Sequence, residues 1–93
     1  MRRPNPAGDG KITIHWGAAS VKGGGWIPVI WVNGRPSSGW RPYDEDEAAR
    51  RAKQQAEDEA DHYVGDWEVT ILPAPADFIQ EEEYRHNPCG SNP

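Results

Sequence analysis

Hydrophobic and polar positions alternate in two stretches of the chain and cluster in a third. Lys11-Ile12-Thr13-Ile14-His15-Trp16 places Ile12, Ile14 and Trp16 on one side and Lys11, Thr13 and His15 on the other. That is the period of a half-buried strand. Trp26-Ile27-Pro28-Val29-Ile30-Trp31-Val32 is the most hydrophobic run of the chain and closes in Asn33-Gly34. The run is too short to cross a membrane and ends in the dipeptide typical of a type I′ hairpin turn, so it predicts a strand near the middle of a sheet. Trp26, Pro28, Ile30 and Val32 fall on one side of it and Ile27, Val29 and Trp31 on the other. One side is expected to pack on a helix and the other to carry an exposed or half-exposed aromatic. Pro28 lacks an N–H, which predicts a bulge or one weakly paired side there. Arg35 to Arg41 turns back with Pro36 and Gly39 inside it, as a short, irregular edge strand. Asp66 to Leu72 alternates again as the last strand, with Trp67, Val69 and Ile71 inward.

Between the third and last strands the period changes to that of a helix. Asp44 is placed to accept the N–H of Glu47, with the Glu47 side chain reaching back, while Tyr43 and Ala48 form a hydrophobic staple. The acids of the first turn suit the helix macrodipole. Asp46 with Arg50, Glu47 with Arg51 and Lys53 with Glu57 add i,i+4 pairs of about 0.2 to 0.5 kcal/mol each. The expected buried stripe is Ala49, Ala52, Ala56, Ala60, Tyr63 and Val64, small enough to sit close to a sheet filled by tryptophans, and Gly65 marks the stop.

These elements predict an α+β domain. A three-stranded antiparallel meander is followed by one helix and a last strand, β-β-β-α-β, with the helix packed on one face. If the third strand forms, the helix is a crossover and the last strand runs parallel to the first, in the order 4-1-2-3. Residues 1–10 read as a flexible arm, 11–72 as the domain, 73–84 as a docked segment with a short helical turn held by Phe78 and Ile79, and 85–93 as a disordered tail. A chain of 93 residues has little room for both a core and a deep cleft, so a binding surface is favoured over an enclosed pocket. The single Cys89 excludes an internal disulfide and suits a reducing compartment. No secretory signal or transmembrane run is visible, and a cytoplasmic protein is expected.

Candidate chemistry changes this picture little. Gly23-Gly24-Gly25 is followed by a strand, where a phosphate cradle needs a helix, and reads as a hairpin loop. His15, His62 and His86 fall on different elements, and no serine lies in a nucleophile elbow. Asp58 and His62 lie one helical turn apart, but no third metal ligand accompanies them. His86-Asn87-Pro88-Cys89 is at most half a metal site. No enzymatic activity, cofactor or metal is expected.

Charge carries more. Up to Tyr43 six basic residues face Asp9 alone, a net of +5, whereas from Asp44 onward four basic residues face fourteen acidic ones, a net of −10. Two surfaces follow. An acidic one, Glu57, Asp58, Glu59 and Asp61 with Glu81, Glu82 and Glu83, suits a basic protein partner, including one that otherwise holds nucleic acid. A second one, Lys11, Trp31, Arg35, Trp40 and Arg41, combines cations with aromatic platforms in the way of nucleic-acid binders.

Gly25 to Arg35, followed by Asp44-Glu45-Asp46-Glu47-Ala48-Ala49-Arg50-Arg51-Ala52, resembles the strand-turn-strand and helix layout of AP2-like DNA-binding domains, over about 30 residues. The resemblance implies nucleic-acid binding through the sheet; the chain departs from it in its acidic helix and in the added strand Trp67 to Leu72. In size, acidity and compact sheet-plus-helix layout the chain also resembles in kind the small acidic proteins with which phages inhibit host defences, anti-CRISPR proteins among them. They share no motif, so no residue roles carry over. The second resemblance implies a non-enzymatic inhibitor in the host cytoplasm, and −10 on the second half favours it over general DNA binding.

Overall fold

A computed structural model describes residues 10–39, 41–63 and 67–86, with the side chains of Tyr84 and His86 left aside. The expectations for residues 1–9, Trp40, Val64, Gly65, Asp66 and the tail 87–93 therefore lie outside the described residues. The elements are β1 (Lys11–Ser20), β2 (Trp26–Val32), β3 (Arg35–Ser38), α1 (Glu45–Ala60), β4 (Glu68–Pro73) and α2 (Ala76–His86). They form an α+β fold in which a mixed sheet, ordered β3-β2-β1-β4, lies between two helices. β1 pairs antiparallel with β2 and parallel with β4, and β2 pairs antiparallel with β3.

The β2–β3 turn needs its two residues. Asn33 and Gly34 have φ of 51° and 85°, both positive as a type I′ turn requires. Asn33 is also bound to β1, donating its N–H to the Thr13 carbonyl (2.8 Å) and accepting the Thr13 N–H at Oδ1 (2.9 Å). Pro28 sits in the sheet without a gap on the β1 side, where it faces Ala18. Trp26 exchanges both backbone bonds with Tyr43, so the even-numbered groups of β2 face the β3 side. The missing N–H of Pro28 therefore falls where β3 ends, and its carbonyl accepts the N–H of Gly39 at 3.1 Å.

α1 begins as its residues dictate, with Asp44 Oδ1 accepting the Glu47 N–H at 2.8 Å. The return half of the capping box is replaced. The Glu47 carboxylate turns along the helix to bind Arg50 and Arg51, so that Arg50 pairs with Glu47 where Asp46 was expected. The buried stripe is Ala48, Ala52 and Ala56; Ala49, expected in it, is only half-buried. Against this stripe pack Ile12, Ile14 and Ile30, with Trp16, Val32, Trp67, Val69 and Ile71 around them, and Tyr63 meets Trp67 edge-on at 5.2 Å. Ile14 is fully buried, a burial that stabilises by about 1.5 to 3 kcal/mol.

The expectation of one helix on one face is corrected by α2. The short helical turn foreseen near Phe78 is an eleven-residue helix, and it covers the other face of the sheet. Phe78 and Ile79 pack on Ala19, Ile27, Val29 and Trp31. The same contact bears on why β1 runs on through Gly17, Ala18 and Ala19, beyond the alternation that ends at Trp16. A Cβ at Gly17 would lie 3.1 Å from Ile79 Cδ1, so the face of β1 that carries Gly17 and Ala19 is small because α2 rests on it. Val21 to Gly25 then closes the β1–β2 hairpin, with positive φ at Gly23, Gly24 and Gly25.

Candidate functional site: the acidic face of helix α1

The two halves of α1 differ in charge. In the first, Glu45, Asp46 and Glu47 stand at the favourable end of the macrodipole, and Glu47 is forked between Arg50 and Arg51, with 2.8 Å to Arg51 Nε. The hydrogen bond from Arg50, with the charges of both arginines, holds the Glu47 carboxyl below its ordinary range, and the same hydrogen bond with the charge of Glu47 raises Arg50 above its own. Arg51 also lies over the Tyr43 ring, 4.3 Å from its centroid. In the second half Glu57, Asp58 and Asp61 are exposed, and the last turn holds no basic residue. Carboxylates there oppose the negative end of the helix, at about 0.3 to 1 kcal/mol each before screening by salt.

The arrangement around these acids is ordered by local bonds. Gln54 Nε2 donates to Asp58 Oδ1 at 3.1 Å, Tyr63 Oη donates to Glu59 Oε2 at 3.3 Å, and His62 Nδ1 lies 3.1 Å from the Asp58 carbonyl. Asp58, Glu59 and His62 form one wall of an open cleft of about 280 Å³, and Ser37 and Ser38 of β3 with the following Gly39 form the other. Sequence reasoning found Asp58, Glu59 and His62 but not the cleft. The signal for it was the interrupted third strand, which ends at Ser38 beside the helix. A cleft lined by carboxylates and hydroxyls suits a cationic side chain.

The remaining acidic residues lie elsewhere. α2 is on the opposite sheet face from α1, so Glu81, Glu82 and Glu83 do not join the α1 acids. Glu81 is exposed, but Glu82 is only 3% exposed and lies 4.0 Å from Arg85 Nη1, and half-buried Glu83 accepts the Ser20 N–H at 3.3 Å. Glu82 and Glu83 are thus corrected from surface acids to residues of the α2–sheet contact, which the run of three glutamates conceals because only helical phase separates them. On the alternative surface Lys11, Arg35 and Arg41 are exposed, but Trp31, the one described aromatic expected there, is 3% exposed beneath α2.

Among the described residues no group of three His, Cys, Asp or Glu side chains is placed to hold a metal ion, and no helix is long and apolar enough to cross a membrane. No family model, curated protein or solved structure matches the chain.

Proposed function

We propose that the chain is a non-enzymatic protein-binding inhibitor that uses the acidic face of α1 to block a basic, nucleic-acid-binding surface of its partner, in the manner of phage-encoded anti-defence proteins of the anti-CRISPR kind. It acts in the host cytoplasm. The observation that carries this reading is the placing of Glu57, Asp58 and Asp61 on an exposed helix end that holds no basic residue. Charge in that position weakens the isolated helix, and a basic partner relieves the cost on binding. The nucleic-acid-binding reading is less favoured, because Trp31, its central aromatic, lies under Phe78.

The test is capture of partners from host lysate by the wild-type chain and by a Glu57→Lys, Asp58→Lys, Asp61→Lys variant, with and without nuclease. The reading requires a protein retained after nuclease treatment and lost with the variant. Retention that ignores all three reversals ends the assignment of this face.

A further inference from the structure

Asp58 and Glu59 border the cleft between α1 and β3, whereas Glu57 and Asp61 lie outside it. Ile30, 7% exposed, belongs to the lining and to the core beneath α1. Ser37 pairs with Ile30 in register, and cross-strand partners share a sheet face, so the Ser37 side chain stands on the α1 side. A Cβ at Gly39 would meet Pro28 at 3.6 Å and no described atom of α1 within 4 Å, which leaves the cleft open at the end of the strand.

The polar groups around this space are rich in acceptors. Asp58 takes the Gln54 amide at 3.1 Å and Glu59 the Tyr63 hydroxyl at 3.3 Å, and a carboxylate accepts more than one such bond. His62 Nδ1 donates to the Asp58 carbonyl, so Nε2 of the neutral ring is an acceptor as well. The Ser37 hydroxyl adds another on the opposite wall. None of the described residues that line the cleft is a lysine or an arginine.

We propose that the cleft receives one arginine side chain of the basic partner, an inference that rests on the inhibitor reading above and locates where its contact concentrates. Pockets for free small molecules hold about 300 to 1,000 Å³. At about 280 Å³ and open to solvent, this one suits a single side chain presented by a larger partner. The apolar stem of an arginine packs toward Ile30 while its head stays among the acceptors. A guanidinium carries five N–H donors in one plane and no acceptor, which matches acceptors on two facing walls. A lysine offers three donors from one point and is more strongly hydrated, so it loses more on entering. Glu57 and Asp61, outside the cleft, attract any cation and make no such choice.

Hexa-arginine and hexa-lysine peptides of equal charge test the choice, by NMR titration of the full chain at low salt. Wild type is expected to bind hexa-arginine about fivefold or more tighter than hexa-lysine, with the largest shifts at the amides of Ser37, Gly39 and Asp58. Ser37→Phe fills the cleft without a change of charge, at an exposed position of a short edge strand. It is expected to bring hexa-arginine down to the affinity of hexa-lysine and to leave hexa-lysine unchanged. Asp61→Asn removes a charge outside the cleft and is expected to weaken both peptides equally. Equal affinities in wild type, a preference that survives Ser37→Phe, or no binding of either peptide overturns the proposal. Partner capture is a separate readout. Capture lost on the three charge reversals, with equal peptide affinities, keeps the inhibitor reading and ends the arginine site. A preference abolished by Ser37→Phe in a chain that captures no protein keeps the arginine site and ends the inhibitor reading.

Discussion

Phe78 of α2 lies against Trp31 of β2 with ring centroids 5.6 Å apart and planes at 42°. Phe78 also meets His15 edge-on at 5.1 Å. One side chain thus closes the sheet face that would otherwise show an aromatic beside basic residues, and it ties the end of the chain to its first two strands. Phe78→Ala is expected to destabilise the fold by about 2 to 3 kcal/mol, below the roughly 3 to 5 of a fully buried phenylalanine, because Phe78 is only partly buried. Urea unfolding measures the loss, and a red shift of tryptophan emission in the folded variant reports the opening over Trp31. An unchanged midpoint and unchanged emission contradict the account of α2.

Asp44 accepts the Glu47 N–H at the start of α1. Asp44→Ala removes that bond at an exposed helix end and is expected to cost about 1 kcal/mol, with Asp44→Ser restoring most of it. Thermal unfolding of the three chains decides, since about 1 kcal/mol shifts the midpoint of a domain this size by roughly 4 to 8 °C. Equal midpoints for the alanine and serine variants contradict the capping role.

Glu47 gives a pH dependence of defined sign. Its folded pKa is lowered, chiefly by the hydrogen bond from Arg50, so its contribution is complete above the ordinary value of 4.5 and is lost as pH falls through the lower folded value. The stability difference between wild type and Glu47→Gln is therefore expected to be constant from neutral pH to about pH 5 and to shrink below it. The group is exposed, so the difference is small and falls with salt. A difference that grows toward acid pH contradicts the assignment.

Gly25 and Gly24 share a positive φ, 93° and 105°, but differ in surroundings. A Cβ at Gly25 would lie 2.7 Å from Pro42 Cβ, whereas none of the structure comes within 4 Å of one at Gly24. Gly24→Ala is expected to cost roughly 1 to 2 kcal/mol from backbone strain alone, and Gly25→Ala clearly more. Chemical denaturation of both variants checks the order. A reversed order removes the contact between the β1–β2 loop and the segment before α1.

What could be read from the chain followed the range over which its causes act. The Asn33-Gly34 turn, the Asp44 cap and the alternation of β1 and β4 depend on neighbours a few residues away, and each is found where its residues predict. The α+β class follows from them. The reach of β1 through Gly17, Ala18 and Ala19 was not legible, because Gly17 and Ala19 are small under Ile79, some sixty positions later. The exposure of Trp31 was misjudged for the same reason: its cover comes from a helix whose short apolar pair, Phe78-Ile79, gives little periodic signal. On α1, the choice of Ala48 over Ala49 for the core depends on the helix rotation set by packing on β1 and β2, which alanine spacing leaves open. Of the acidic surface, Glu57, Asp58 and Asp61 stand out on an exposed helix end, whereas the phase of α2 withdraws Glu82 into the fold.

The central claim is that the exposed carboxylates of α1 bind a basic protein surface. Its most direct measurement is the affinity of the purified chain for the nuclease-resistant protein that it captures, taken across salt concentrations for wild type and for the Glu57→Lys, Asp58→Lys, Asp61→Lys variant. Wild-type binding that weakens steadily with salt and falls by roughly a hundredfold or more on charge reversal is the predicted result. Affinity indifferent to both salt and the three reversals contradicts it.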